Sequence, residues 1–349
     1  MSHEALTALG LTPHFSAQLS LEELERGELA RVVEVQRSGI TLAGTEGERT
    51  LALGGNWQRR PLEERPTVGD WVLLDAEDGT LARVLERRSV FRRVAAGPGA
   101  ELQPIAANVD TLLVVSACNR ELKESRLERY LALAREAGID PLIVLTKVDL
   151  TEDAEVYRER VRRVAAEVPV ELVDAREATD LARVTAWTSP GTTLALVGSS
   201  GVGKSTIVNT LSGTALAATG AAREQDARGR HTTSSRALHR LPDGTLLLDV
   251  PGMRELGVAR LDGALDGVFT DVADLAVRCR FADCAHESEP DCAVREAIAA
   301  GRLEARRLES YRKLAREDAR HTMSIAERHD RERQFGKLIK EIKRIKDST

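Results

Sequence analysis

The stretch Thr192–Leu211, TTLALVGSSGVGKSTIVNTL, constrains the fold of this chain more than any other. An apolar run ends at Gly198, and the octapeptide GSSGVGKS sets Gly198, Gly203, Lys204 and Ser205 in the G-x-x-x-x-G-K-[ST] spacing. Ile207, Val208 and Leu211 then recur at helical intervals. Strand, glycine loop and helix in that order make a phosphate-binding loop. The glycines let the backbone curl so that N–H groups from Gly198, Ser199, Ser200, Gly201, Val202, Gly203, Lys204, Ser205 and Thr206 face phosphate oxygens. The start of the helix adds its partial positive charge there. Lys204 is expected to reach the β- and γ-phosphates as a catalytic cation, and the Ser205 hydroxyl to ligate Mg²⁺. A glycine-rich turn that binds nothing is the plainer reading, and the flanking strand and helix argue against it.

At 349 residues the chain has room for two or three domains, at about 150 residues each. Its net charge of −5 carries no general nucleic-acid signature, so any RNA contact must come from local basic patches. No apolar run approaches membrane-spanning length, and the start MSHEALTALGL lacks a basic-then-apolar signal layout. The expectation is a cytoplasmic protein without a membrane partner, acting as a monomer.

Residues 1–28 read as a polar extension with little core of its own. Between 29 and 96, ARVVEV, GITLAG, RTLALG, DWVLLD and TLARVL read as five short strands separated by glycine turns, which suits a small OB-type β-barrel. Arg87, Arg88, Arg92 and Arg93 then surround Phe91, either as an RNA-facing edge or as a solvated linker. From 97 to 260 the pattern is α/β: DTLLVVSA, PLIVLTK, VELVDA, TTLALVG and TLLLDVPG are buried parallel strands, with helices such as Ser125–Ala137 and Ala154–Glu167 between them. The segment Gly213–Leu241, poor in large apolar residues, reads as a long switch-like loop. Residues 261–349 read as a helical domain, ending in a basic amphipathic helix at Arg331–Lys346.

Two further motifs bear on the nucleotide. LLLDVPG ends a strand with Asp249 and Gly252 in D-x-x-G spacing, where an aspartate can hold Mg²⁺ and a glycine N–H can meet the γ-phosphate. In LIVLTKVDL, Thr146, Lys147, Val148 and Asp149 form T-K-x-D, the guanine motif N-K-x-D with threonine in place of asparagine. The Asp149 carboxylate can accept from N1–H and the exocyclic amine of guanine, a donor pair adenine lacks, and the Lys147 stem can lie along the base. T-K-x-D precedes the phosphate loop, the reverse of the usual order. All these loops lie at the carboxyl ends of parallel strands, so reconnecting the strands leaves the pocket intact, and the order implies a circularly permuted GTPase domain. Val173-Asp174-Ala175 then stands where a serine-alanine guanine contact belongs, without its serine. Met253 follows Gly252 where Ras-like enzymes carry the glutamine that orients water, so hydrolysis should be slow unless another group places the water. His231, in RGRHTT, is the candidate, and Thr232 or Thr233 can give Mg²⁺ a second hydroxyl.

CRFADCAHESEPDC brings Cys279, Cys284, His286 and Cys292 within fourteen residues. Three thiolates and an imidazole complete a tetrahedral structural Zn²⁺ site with no open position. Cys118, far away at a strand end, reads as core.

Together these pieces resemble one family, the circularly permuted, ribosome small-subunit-dependent GTPase A of bacteria. The resemblance runs from Leu29 to about Leu314 and rests on the barrel, T-K-x-D before GSSGVGKS, G-R-H-T-T, D-x-P-G with a hydrophobic residue after it, and C-x4-C-x-H-x5-C. It implies a protein that docks on the 30S subunit late in maturation, hydrolyses GTP slowly alone and faster on the subunit, and contacts 16S rRNA through barrel and zinc domain. On that reading the basic residues at 87–93 and 331–346 become RNA contacts. An ATP-dependent small-molecule kinase and an RNA adaptor that holds GTP without turning it over are the competing readings. T-K-V-D speaks against the first, and Met253 leaves the second open.

Overall fold

In the computed structural model of the chain, the described residues are 2–36, 38–75, 77–94, 101–214, 216, 236–249, 261 and 263–322. They fall into two compact units, one of residues 1–92 with 104–256, the other of 93–103 with 257–349.

The first unit opens with the short helices α1 (Ser2–Ala8), α2 (Pro13–Ser16) and α3 (Leu21–Arg26). A capping box starts α3: the Ser20 hydroxyl accepts the Glu23 N–H, and the Glu23 carboxylate accepts the Ser20 N–H. Arg83 donates to both oxygens of that carboxylate and holds its pKa down at about 2. The buried apolar residues of this segment, Leu6 and Phe15, pack on Trp71 and Leu85 of the barrel. The barrel strands follow as β1 (Glu28–Gln36), β2 (Gly39–Gly44) and β3 (Gly47–Leu51), the helix α4 (Gly55–Arg59), then β4 (Trp71–Leu74) and β5 (Leu81–Val84). They pair antiparallel in the order β3-β2-β1-β4-β5. Strand alternation turns Ala30, Val32, Ile40, Leu42, Val72 and Leu74 to one core with Trp57, whose indole N–H donates to the Leu81 carbonyl at 2.8 Å. The strands β6 (Val90–Val94) and β7 (Leu102–Ala107) form a separate pair.

The α/β part runs β8 (Thr111–Ala117), α5 (Glu124–Ala137), β9 (Asp140–Thr146), α6 (Glu155–Arg162), β10 (Val170–Leu172), α7 (Ala178–Thr185), β11 (Thr193–Val197), α8 (Lys204–Ser212), β12 (Arg236–Arg240) and β13 (Leu246–Asp249). The sheet order is β10-β9-β8-β11-β13-β12, with β12 antiparallel and every other pair parallel. The five expected apolar runs are β10, β9, β8, β11 and β13. The strand β12 lies inside the segment read from sequence as loop. RALHR is only half buried and has one large apolar residue, so hydropathy gives no sign of it. Leu113, Val115, Leu142, Val144, Leu194 and Leu247 form the core of this sheet with Val202 of the glycine loop and Ile207 of the helix after it.

Barrel and sheet are one ladder. β1 pairs with β4 over Glu28–Arg31, shifts register between Val32 and Glu34, and then pairs antiparallel with β12 at Glu34 and Val35. Arg31, alternating away from the barrel core, is buried where these parts meet. It donates to the carbonyls of Leu9 (2.5 Å), Asn108 (3.1 Å) and Gly69 (3.3 Å) and to the Thr193 hydroxyl of β11 (2.8 Å).

The second unit holds α9 (Ala264–Val268), α10 (Thr270–Ala276), α11 (Ala293–Ala299) and α12 (Ala305–Thr322). Its buried Arg307 donates to both Asp271 oxygens at 2.8 Å and to the Val268 carbonyl, and lies over the Phe269 ring. Among the described residues no helix is long and apolar enough to cross a membrane. The basic segment 331–346 lies outside the described residues.

The basic cluster after the barrel is used internally. Arg87 donates to both oxygens of the fully buried Asp70 at 2.8 Å. Phe91 is buried, Arg88 pairs with Asp110, and Arg92 with Glu63 and Glu136. Arg87→Met should therefore cost about 3 kcal/mol in urea unfolding, because it strands a buried carboxylate. Arg88→Met, which breaks a surface pair, should cost under about 1 kcal/mol. Equally small losses would restore the solvated-edge reading of Arg87.

Candidate functional site

The order of the sheet decides where a ligand can sit. β11 lies between β8 and β13, and the connections from the carboxyl ends of β8 and β11 run in opposite directions, to β9 and to β12, so the crevice of the topological switch point lies between these two strands. The glycine loop begins there. Gly198 has φ +149°, and a Cβ on it would run into the Val115 carbonyl oxygen of β8. Gly203 has φ +98° and leads directly into α8, so the loop turns at both ends through conformations that favour glycine. Val202 between them is buried and anchors the loop in the core, while Ser200 and Gly201 form its exposed tip.

The Lys204 ammonium donates to the Gly198 carbonyl at 2.7 Å and to the Ser199 carbonyl. It is thus folded back over the loop it begins beside, where an anion cradled by the loop would meet it. Ser205 and Thr206 occupy the first turn of α8, next to that point. Asp249 is the last residue of β13, the parallel neighbour of β11, so a cation ligated by Ser205 would lie between adjacent strand ends. His231, Thr232, Thr233, Gly252 and Met253 lie outside the described residues.

The T-K-x-D loop reaches the same crevice from β9, two strands away from β11. Thr146, fully buried at the end of β9, places its hydroxyl 2.6 Å from the Val202 carbonyl and 3.2 Å from the Ser116 carbonyl of β8. Threonine in the asparagine position therefore fastens one loop to the other. Lys147 follows in the left-handed region at φ 60°, and Val148–Leu150 make a single 3₁₀ turn that carries Asp149 outward. Behind it, Val173-Asp174-Ala175 follows β10, with the Ala175 carbonyl accepting from the Thr210 hydroxyl of α8 at 2.8 Å.

Two arginines that sequence reasoning missed join the site. Arg176 donates to Asp149 at 2.8 Å and to both oxygens of Asp174, and holds the Asp174 carboxyl below its ordinary pKa. Its side chain is 63% exposed, so solvent screens the pair and a base can displace it. Arg176 stands two residues beyond Asp174, and that adjacency was the available signal. Arg126, on α5, donates to the Ser199 hydroxyl of the glycine loop. In sequence it sits in SRLERYL, indistinguishable from a solvated helix face. Cys118 is core, and burial pushes its thiol up to about 11.

In the second unit, the ligand atoms of Cys279, Cys284, His286 and Cys292 all lie within 4.8 Å of one another. Cys279 and Cys292 sulfurs are 3.8 Å apart, and they lie 3.6 and 3.4 Å from His286 Nδ1. A tetrahedral ion with ordinary Zn–S and Zn–N bonds requires S···S of about 3.8 Å and S···N of about 3.6 Å, so the donor set fits one. The loop is held to receive it: Glu289 accepts the N–H groups of Ala285, Glu287 and Ser288, and Arg312 donates to the Ala285 carbonyl.

Comparison with known proteins agrees with this geometry. Residues 84–259 match the family described as RsgA GTPase. The small ribosomal subunit biogenesis GTPase RsgA 2 of Vibrio vulnificus is 45% identical over 337 residues, covering 97% of this chain and 95% of that protein. Its counterpart RsgA in Mesorhizobium japonicum is 42% identical, covering 92% of each. Among solved structures, YjeQ from Thermotoga maritima superposes with a TM-score of 0.60 at 22% identity, over 82% of this chain and 97% of that one. YloQ, described as a circularly permuted GTPase, gives 0.58 at 22% identity over 85% and 96%.

The cluster makes a direct prediction. Metal analysis of the purified chain should find about one tetrahedral divalent ion per molecule. Cys284→Ser should lose that ion and the folded second unit while nucleotide binding persists. A metal-free chain with its second unit intact would remove the ion from the structure.

Proposed function

This chain belongs to the RsgA GTPase family, and on that premise we propose that it hydrolyses GTP in a cycle coupled to maturation of the small ribosomal subunit. The observation that supports the reading is the fastening of the T-K-x-D loop to the glycine loop through Thr146, since one nucleotide has to meet both loops.

Asp149 reads the guanine Watson–Crick edge by accepting two hydrogen bonds, and the Lys147 stem lies along the base. The backbone N–H groups from Gly198 to Thr206 and the Lys204 ammonium take the phosphates, with the Gly252 N–H at the γ-phosphate. Ser205, Asp249 and Thr232 or Thr233 would hold Mg²⁺, which when bound would supply positive charge against the charge developing on the phosphate oxygens. Water attacks the γ-phosphorus as the bond to the β-bridging oxygen breaks, giving GDP and phosphate. Met253 has no group with which to orient that water, so turnover of the isolated protein is slow. On the subunit, His231 supplies the missing acceptor. The Cys279, Cys284, His286 and Cys292 set holds Zn²⁺ in a closed, structural role.

The relatives' names speak of the small ribosomal subunit, and we take 30S particles and their 16S rRNA as the partner here too, in the cytoplasm. Because Arg87 and Arg92 are engaged with carboxylates, basic residues other than these two would make the rRNA contacts of the barrel side.

The test is GTP hydrolysis with and without purified 30S subunits, with ATP as control. GTP turnover alone should rise strongly on the subunit. His231→Ala should keep GTP binding and lose most of that stimulation. Equal turnover of ATP would return the kinase reading; binding with no turnover under any condition would favour an adaptor. Unchanged stimulation in His231→Ala would take that residue out of the mechanism.

A further inference from the structure

The two bonds at Ser199 come from different cations and serve different ends. Its hydroxyl accepts from the Arg126 guanidinium, which α5 presents from its first turn just after β8. Its carbonyl accepts from the Lys204 ammonium, as does the Gly198 carbonyl at 2.7 Å. Several arginines of this unit bond carboxylates, among them Arg87 with Asp70, Arg92 with Glu63, Arg160 with Glu124 and Arg176 with Asp149. Arg126 instead bonds a neutral hydroxyl in the phosphate loop, and its half-buried charge remains at the loop.

Ser199 is thus held through both its hydroxyl and its carbonyl, next to the exposed tip at Ser200 and Gly201. A rotation of the Ser199 backbone that took its carbonyl off Lys204 would also carry the hydroxyl away from Arg126. The guanidinium is a planar fork on a helix that is capped by Gly138 in the left-handed conformation at its far end and packed on the sheet through Leu127, Leu131 and Ala134. A helix packed on the sheet therefore holds a loop residue, and that residue holds the cation that meets the nucleotide.

We propose that Arg126 is a positioning residue of the phosphate site, which acts through Ser199 to hold Lys204 where the β- and γ-phosphates arrive. Preorganised donors strengthen binding because the ordering is already complete when the ligand enters. The inference rests on the reading of Gly198–Thr206 as the GTP cradle.

The experiment uses the full chain and titrates a fluorescent GTP analogue, with GMP as competitor, on Arg126→Ala, Ser199→Ala and the double variant. Each single variant should bind GTP about tenfold more weakly, the size of a lost hydrogen bond to a charged group. The double variant should be no weaker than Arg126→Ala. Affinity for GMP, which lacks the phosphates that Lys204 meets, should not change, whereas a general loosening of the fold would lower it too. Unchanged GTP affinity in Ser199→Ala would overturn the proposal, as would losses that multiply in the double variant. Should Arg126→Ala fail to fold, Ser199→Ala still decides, since it keeps the guanidinium and removes only its acceptor. Failure of the unmodified chain to bind GTP would instead overturn the underlying reading of the site.

Discussion

The Thr146 hydroxyl, 2.6 Å from the Val202 carbonyl oxygen, holds together two loops that the sequence keeps more than fifty residues apart. A nucleotide is a long ligand with chemically unlike ends, and an acceptor for its base is useful only at a fixed distance from the donors for its phosphates. Thr146 can set that distance because it is buried at the end of β9, with its second contact on the Ser116 carbonyl of β8. The hydrogen bonds thus cross the strand that separates β9 from β11. The pocket depends on which strands are neighbours and which way they point, and on nothing in the order of their connection. That is why a chain that makes its guanine loop first and its phosphate loop second arrives at a GTPase site.

The same logic extends to the barrel. β1 begins as a barrel strand, shifts register against β2 after Val32 and ends as a neighbour of β12, the strand found inside the segment read from sequence as loop. Arg31 completes the join by giving its donors to Leu9, Gly69, Asn108 and Thr193, so the N-terminal helices, the barrel and the phosphate-loop strand share one buried cation. Every one of those acceptors is a neutral oxygen. Removing any of them leaves a buried charge less well solvated, which gives the junction a single preferred geometry.

Periodic features were legible before any coordinates. Buried parallel strands are continuous apolar runs, so β8, β9, β10, β11 and β13 stood out, as did the alternation of the barrel and the ligand spacing from Cys279 to Cys292. Features made by pairing were not. RALHR became β12 because β13 and β1 offered it partners on both sides, and no local pattern encodes that. Arg87 looked like a candidate for rRNA until its carboxylate, Asp70, was found seventeen positions upstream. The contact of Arg126 with Ser199 leaves no trace in spacing, and that of Arg176 leaves only its adjacency to Asp174. The chemistry placed on His231, Thr232, Thr233 and Gly252 rests on motif alone, because those residues lie outside the described ones.

The most direct test of a guanine pocket built from the T-K-x-D loop is a change of base preference. An Asp149→Asn amide would still accept from N1–H but would present an N–H where guanine carries its amine and xanthine carries a carbonyl. The variant should lose affinity for GTP by on the order of 100-fold or more and gain affinity for xanthosine triphosphate, as a buried hydrogen-bonding site discriminates. Undiminished GTP binding in Asp149→Asn would mean that this loop does not face the base, and the permuted site described above would be wrong.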